Sequence, residues 1–491
     1  MALLMWVVGV LVSAFVAFKF TSFRRHPLRQ FPGPVFCALS NIPFSYHWLV
    51  GDQPTWIESL HAKYGSVVRI APNELSFTTP SSWKDIYSFR KGHGIFVKSY
   101  SYDAAAFTNQ TRSIVNERDP AEHARMRKML SPGFSDRSLR EQWPIINDLV
   151  DGFLDELRKR AARGQPVDMT ALLATITFDV STSLGFGRSF GAVHSEKAHP
   201  WMVFIRNGAR AMGEAAAIQR FPWVRKLVLA LKPPQMIQMI KELRMHEAMC
   251  IDMVKERQDK SSDRRDVLGL ILEASDKAEE EFPTPFIAAQ LSDVVIAGAE
   301  TTGTALATVH HYVMRDRVVL ERLRNEVRGR FSRLEDIKPE TTADLPYVNA
   351  ILNEALRVLP PVPWPASRLV PLGGDTVDGY SIPGGTWVST SAFAASRSPL
   401  NFECPAEFRP ERWISNPHSD ELGGAQPFGV GPRACIGKSV ALTEMRLIMA
   451  KVHFLFDMEA VDPNLDWIQK IVFRLLWVPP RLMARLEVAQ K

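Results

Sequence analysis

Apolar residues recur every three or four positions through long stretches of this chain, and that spacing predicts one helix after another. In residues 140–161 (REQWPIINDLVDGFLDELRKRA), 241–260 (KELRMHEAMCIDMVKERQDK) and 317–331 (RVVLERLRNEVRGRF) the apolar positions share one face and the charged ones the other, as in helices that bury a single stripe. Residues 286–314 break this pattern, because Asp293 and Glu300 are their only carboxylates over about eight turns. A helix apolar all round belongs inside the protein. Pro283 and Pro285 precede it and the charged Arg315, Asp316 and Arg317 follow it, which bounds it sensibly. Alternating, strand-like patterns are short and sparse. Residues 65–79 (GSVVRIAPNELSFTT) read as a hairpin, and 368–391 alternate between turn residues. The fold class is mainly α with small β-sheets, an α+β arrangement.

The amino end has a different pattern. Residues 2–18 (ALLMWVVGVLVSAFVAF) carry no charge, at the short end of what crosses a bilayer. No basic segment precedes this run, which is longer than the apolar part of a cleaved leader. Lys19, Arg24, Arg25 and Arg29 follow it and place the remaining chain on the cytoplasmic side. The expected organisation is a membrane anchor over 1–20, a basic, proline-rich linker over 21–40 (with RHPLRQFPGP) and one body over 41–491. No repeat, low-complexity tract or flexible linker divides that body. Asn109, Gln110 and Thr111 form a glycosylation sequon, expected to stay unmodified on the cytoplasmic side.

Composition changes little in this picture. With 491 residues, 46% apolar and 23% charged, the chain has the makings of a large globular core. A net charge of +6 is not gathered into a basic arm, so a nucleic-acid partner is not expected. The four cysteines, Cys37, Cys250, Cys404 and Cys435, show no close pairing, which argues against a disulfide scaffold or zinc module. The first three read as buried small hydrophobes.

Cys435 stands apart. It sits in QPFGVGPRACIG, directly before a strongly helical run, residues 436–456. It reads as a disulfide half, a buried hydrophobe, or a thiolate presented at a helix amino terminus, where free N–H groups and the dipole stabilise a sulfur anion. Gly429, Gly431 and Gly437 permit tight turning and close approach to something flat. Gly429, Gly431 and Ala434 also mimic a dinucleotide fingerprint, but no clear strand precedes them.

The stretch FGVGPRACIG resembles the haem-binding loop of the cytochrome P450 monooxygenases, with Phe428, Gly429, Gly431, Arg433, Cys435 and Gly437 each at a motif position. Further motifs follow the family's order over essentially the whole chain after the anchor. Glu354 and Arg357, three apart on a helix, resemble with Arg412 of FRPERW its buried Glu-Arg-Arg network. AGAETT, with Ala297, Gly298, Glu300 and Thr301, resembles the oxygen-side groove and its acid-alcohol pair. In the groove, small residues leave room beside the helix, and Thr301 is placed to bond the carbonyl of residue 297. His123 and Arg127, one turn apart in EHARMRKML, and Arg368 resemble ligands of the haem propionates. Ser396 stands where many relatives carry histidine, a departure that resembles filamentous-fungal members serving secondary-metabolite biosynthesis of terpenoid or polyketide type.

The resemblance implies haem b ligated by Cys435 as the metal ligand, with electrons from NADPH through a separate, membrane-bound NADPH-cytochrome P450 reductase. The reaction is hydroxylation or epoxidation of a lipophilic small molecule with molecular oxygen, at the endoplasmic reticulum membrane. Thr301 and Glu300 are its expected proton relay, and Arg125, Lys128 and Lys438 the expected reductase-facing cations. The alternatives are a haem-thiolate isomerase or dehydratase, or a non-catalytic membrane haem protein. Residues 100–114, 201–221 and 361–366 correspond to segments that close over substrate. Residues 221–232 (FPWVRKLVLALK) read equally as a membrane-lipid contact or a core-facing helix.

Overall fold

The computed structural model describes residues 6, 21, 24–105, 107, 111–195, 197–231, 233–260, 264–278, 282–417 and 419–489. The anchor read at 1–20, apart from Trp6, and Asn109 and Gln110 of the sequon lie outside these. The principal helices are α1 (Ile42–Val50), α2 (Pro120–Leu130), α3 (Asp136–Ala162), α4 (Met169–Phe186), α5 (Pro200–Gln219), α6 (Pro222–Leu231), α7 (Pro234–Asp259), α8 (Thr284–Arg315), α9 (Arg317–Arg330), α10 (Pro346–Val358) and α11 (Lys438–Leu455). One cluster of buried apolar side chains runs from Phe44 to Leu486. The segments of three- and four-residue periodicity lie in α3, α7 and α9.

The apolar helix read at 286–314 is α8, which passes through the interior and packs along α4. Glycine sets how closely the two approach. A Cβ on Gly298 would lie 2.4 Å from Ser181 Oγ, and one on Gly303 would lie 3.0 Å from Thr177 Oγ1. Across this contact the Thr177 hydroxyl donates to the carbonyl of Ala299 at 2.8 Å. Among the described residues α4 is the one helix long and apolar enough to span a membrane, but 89% of it is buried inside the protein. It is a core helix.

The strands are β1 (Val67–Ala71), β2 (Glu74–Phe77), β3 (Val97–Lys98), β4 (Val167–Asp168), β5 (Arg368–Leu369), β6 (Asp375–Val377), β7 (Tyr380–Ile382), β8 (Trp387–Thr390), β9 (Phe456–Ala460), β10 (Val472–Arg474), β11 (Leu476–Val478) and β12 (Met483–Val488). The main sheet has the order β1-β2-β8-β5-β3. β1 and β2 form the hairpin read from alternation, whereas β2 pairs parallel with β8, Glu74 opposite Trp387. A parallel partner that far along the chain leaves no local pattern to read. This sheet carries Lys98 and Arg368 to one wall of the interior.

Several histidines are buried and neutral. His246, His310 and His311 are held at about 4, chiefly by burial. His453, stacked on His310 with ring centroids 5.5 Å apart, is pushed well below its ordinary value, again chiefly by burial. Unfolded histidines protonate near 6.5, so below that pH the unfolded chain binds more protons and stability is lost as pH falls. Each group held at about 4 withdraws up to roughly 3 kcal/mol by pH 4. The unfolding midpoint should therefore be level above neutral pH and fall steeply below about pH 6. A flat midpoint down to pH 4.5 in an acid titration followed by circular dichroism would contradict these buried neutral rings.

Candidate active site

Cys435 closes a loop that only glycine can shape. Gly429 and Gly431 have φ of 66° and 76°, the left-handed region that costs other residues strain. A Cβ on Gly431 would lie 2.1 Å from the carbonyl oxygen of Tyr87. The loop is pinned by the Cys435 N–H donating to Phe428 O at 2.8 Å and by Arg127 donating to Ala434 O at 2.7 Å. Burial pushes the Cys435 thiol up, while the Gly437 N–H and then the charges of Arg127 and Lys438 pull it down. The residue lies deep in the protein yet has free surface, because it faces an internal cavity of about 400 Å³. Cys37 and Cys250 are buried, as the sequence suggests, whereas Cys404 is exposed, at the surface rather than in the core.

The same cavity is lined by Thr301, Ala297 and Gly298 of α8 and by Phe428 and Gly437 of the loop. The side of Gly298 that lacks a Cβ faces Ser181, so its small size serves helix packing as well as the cavity wall. Thr301 Oγ1 donates to the Ala297 carbonyl. Glu300 lines neither this cavity nor its neighbour. Its carboxylate pairs instead with Arg206 of α5 at 3.1 Å.

Another wall is a cluster of cations. Lys98 donates to the carbonyls of Ile114 and Val115, Arg368 to Tyr102 Oη and the carbonyls of Ala366 and Ser367, and Arg433 to the carbonyls of Glu117 and Arg118 at 2.7 and 2.9 Å. Together with Arg127 they border the cavity, and the bonds they make go to carbonyl and hydroxyl oxygens rather than carboxylates. The effect shows on His123, which burial first and then Arg433, Lys98, Arg127 and Arg368 hold at about 3. Burial also lowers Arg433 to about 10 and Lys98 well below its ordinary value. Four cations in one low-dielectric wall, bonded to carbonyl and hydroxyl oxygens, fit a bound anion. Lys98 was not singled out from sequence, since one lysine in a short strand carries no local signal.

Glu354 and Arg357 are fully buried and doubly bonded, Nε to Oε2 and Nη2 to Oε1, both at 2.8 Å. Arg412 lies 3.4 Å from Glu354 Oε1 and pairs also with Asp420, a further member that sequence reading missed. Arg409 N–H and Trp413 Nε1–H complete the Glu354 carboxylate at 2.8 and 2.9 Å. Arg357 in turn holds the carbonyls of Ser396, Pro405 and Glu407. The network therefore ties α10 to the segment that leads into the cysteine loop.

A neighbouring chamber of about 340 Å³ shares Tyr102, Val115, Asp293, Ala297, Thr301 and Trp364 with the first. Its walls draw on each of the three segments read as closing over substrate, through residues such as Phe107, Phe204 and Val362, and also on Trp48 and Leu475, which the sequence did not mark.

The cavity thus has a sulfur on one side, an α-helix with a hydroxyl on the other, and cations along an edge. Those residues fit a flat, metal-bearing macrocycle with acidic substituents. Sulfur would supply a thiolate donor to its metal, the loop glycines would admit close approach, and Arg433, Arg368, Lys98 and Arg127 would meet the acids. Arg433→Leu should cost about tenfold or more in retention of such a group, by loss of a charge-assisted bond. Haem transfer to apomyoglobin measures this, and wild-type retention would contradict the assignment.

The family model described as Cytochrome P450 matches residues 32–483. The chain is 40% identical over 456 residues, 93% of its length and 94% of the other's, to "Cytochrome P450 monooxygenase ORF11" of Penicillium roqueforti (strain FM164). It is 37% identical over 475 residues, 95% and 93% of the two chains, to "Cytochrome P450 monooxygenase BipB" of Cochliobolus sativus. Among solved structures it is similar to one titled "Crystal structure of cytochrome P450DA heme domain", with TM-score 0.76, 20% identity and coverage of 94% of this chain and 98% of that one. At that identity the likeness speaks for the fold.

Proposed function

The chain belongs to the cytochrome P450 family, and from that premise we propose that it is a membrane-tethered, haem-thiolate monooxygenase that oxidises a lipophilic small molecule in secondary-metabolite biosynthesis, with electrons from NADPH delivered by a separate reductase. The observation that carries the reading is the cavity shared by Cys435, Thr301 and the carbonyl-bonded cations. The relatives named as P450 monooxygenases support the reaction class.

Cys435 would ligate the haem iron, with Arg433, Arg368, Lys98, Arg127 and His123 placed along the propionate edge. Bound there, haem supplies oxygen activation and insertion of one oxygen atom into a C–H bond. The protein's own part is position and proton supply. Apolar side chains of the outer chamber orient the substrate and exclude water. Thr301 Oγ both accepts and donates a proton, so it passes one from water to the reacting centre. Glu300 serves as the upstream acid only when it leaves Arg206. Thr301→Ala should keep NADPH consumption but lower product formed per NADPH by about a hundredfold. Unchanged coupling would remove Thr301 from the relay.

Exposed Lys128 and Lys438 offer an acidic reductase a cationic face beside the cysteine loop. Helix α6 buries none of its side chains, with Trp223 81% and Leu231 70% exposed. That favours a membrane contact over the core-facing reading of this segment. The test of the proposal is oxidation assayed with and without reductase. NADPH consumption and product must require both reductase and substrate; product formed from the substrate without reductase or NADPH would point to the isomerase reading.

A further inference from the structure

The turn at Ile114 and Val115 stands where the cavity beside Cys435 meets the outer chamber. Val115 lines both, Ile114 the first and Ser113 the second. These residues belong to no helix or strand, yet all four backbone polar groups of Ile114 and Val115 are bonded, and each partner is a side chain from elsewhere in the fold. The Ile114 N–H donates to Gln290 Oε1 at 2.8 Å and the Val115 N–H to Asp293 Oδ2 at 3.2 Å, both acceptors standing on α8. Lys98 of β3 donates to the two carbonyls at 2.8 and 2.7 Å. Asp293 takes a further bond from Ser113 and feels the opposite charge of Lys98 across the turn. Gln290 Nε2 donates to the Arg112 carbonyl at 3.1 Å, so this one amide grips the chain on both sides of Ser113.

A turn held only by side chains has no ladder of its own to fall back on, and removing one of them leaves a backbone group unmet and the chain free to move. Asp293 and Lys98 border the cavity beside Cys435 and so meet whatever it holds. Gln290 is fully buried and lines neither chamber. We infer, resting on the monooxygenase reading above, that Gln290 is a positioning residue for substrate selection: without touching the substrate, its amide fixes Val115 as the partition between the chambers and so favours ligands that extend from one into the other. A partition already in place spares such a ligand the cost of ordering the turn. A ligand small enough to stay beside Cys435 gains nothing from it.

The test compares haem-loaded wild type with Gln290→Met, which keeps the side chain's length but neither hydrogen bond to the turn. Two iron ligands are titrated by Soret shift: imidazole, small enough to stay beside Cys435, and 1-dodecylimidazole, whose chain must pass Val115 into the outer chamber. The variant should bind 1-dodecylimidazole about tenfold more weakly with its affinity for imidazole unchanged. Affinities that fall together, as general structural damage would make them, or a ratio equal to that of wild type, would overturn the assignment. If the variant does not fold, amide exchange in wild type decides: the Ile114 N–H must be protected although it lies in a turn, and exchange at open-loop rates overturns the assignment. A wild type without a thiolate-type carbon-monoxide band would fail the monooxygenase reading instead; a normal band with an unchanged ratio would fail only this inference.

Discussion

Glu354→Ala is expected to leave little or no folded enzyme. The carboxylate is wholly buried between Arg357 and Arg412 and accepts from both Arg357 nitrogens, the Arg409 N–H and the Trp413 indole. Removing it leaves the Arg357 guanidinium buried without its carboxylate, while Arg412 keeps Asp420, and breaking a buried pair in this way costs about 3–5 kcal/mol. Against a total stability of about 5–15 kcal/mol, that is a large share. The damage should not stay local, because Arg357 also holds the carbonyls of Ser396, Pro405 and Glu407, on which the approach to the cysteine loop rests. Glu354→Gln keeps the size and most hydrogen bonds and should lie between the two in denaturant midpoint. An alanine variant with wild-type unfolding would show that the network does not carry the loop.

How much of this was legible in the sequence depends on how local each signal was. The cysteine loop could be read because its glycines answer to backbone geometry within a few residues, and Gly431 packs against Tyr87 where no Cβ fits. Glu354 and Arg357 share a helical face, so their contact needed only the helix to be right; Arg412 came from family resemblance, and Asp420, eight residues on in irregular chain, left no pattern. The pairing of β2 with β8 joins segments more than three hundred residues apart. Lys98 becomes part of the cation cluster through that sheet, and nothing in its neighbourhood announces it. Glu300 illustrates the opposite failure. Its place in AGAETT suggests a role beside the cavity, but the side chain's direction is set by Arg206 on α5, a partner the motif does not contain. Asp293 was visible only as one of two carboxylates in an apolar helix; that it lines both chambers is a property of the fold.

The most direct test of the account is the reduced carbon-monoxide difference spectrum of wild type and Cys435→Ser. A thiolate ligand donates strongly to haem iron and moves the Soret band to longer wavelength, whereas a serine hydroxyl at the same position does not. The account predicts the red-shifted band in wild type, its complete loss in Cys435→Ser, and monooxygenase activity lost with it. A histidine-type band in wild type, or a red-shifted band that persists in the serine variant, would contradict it.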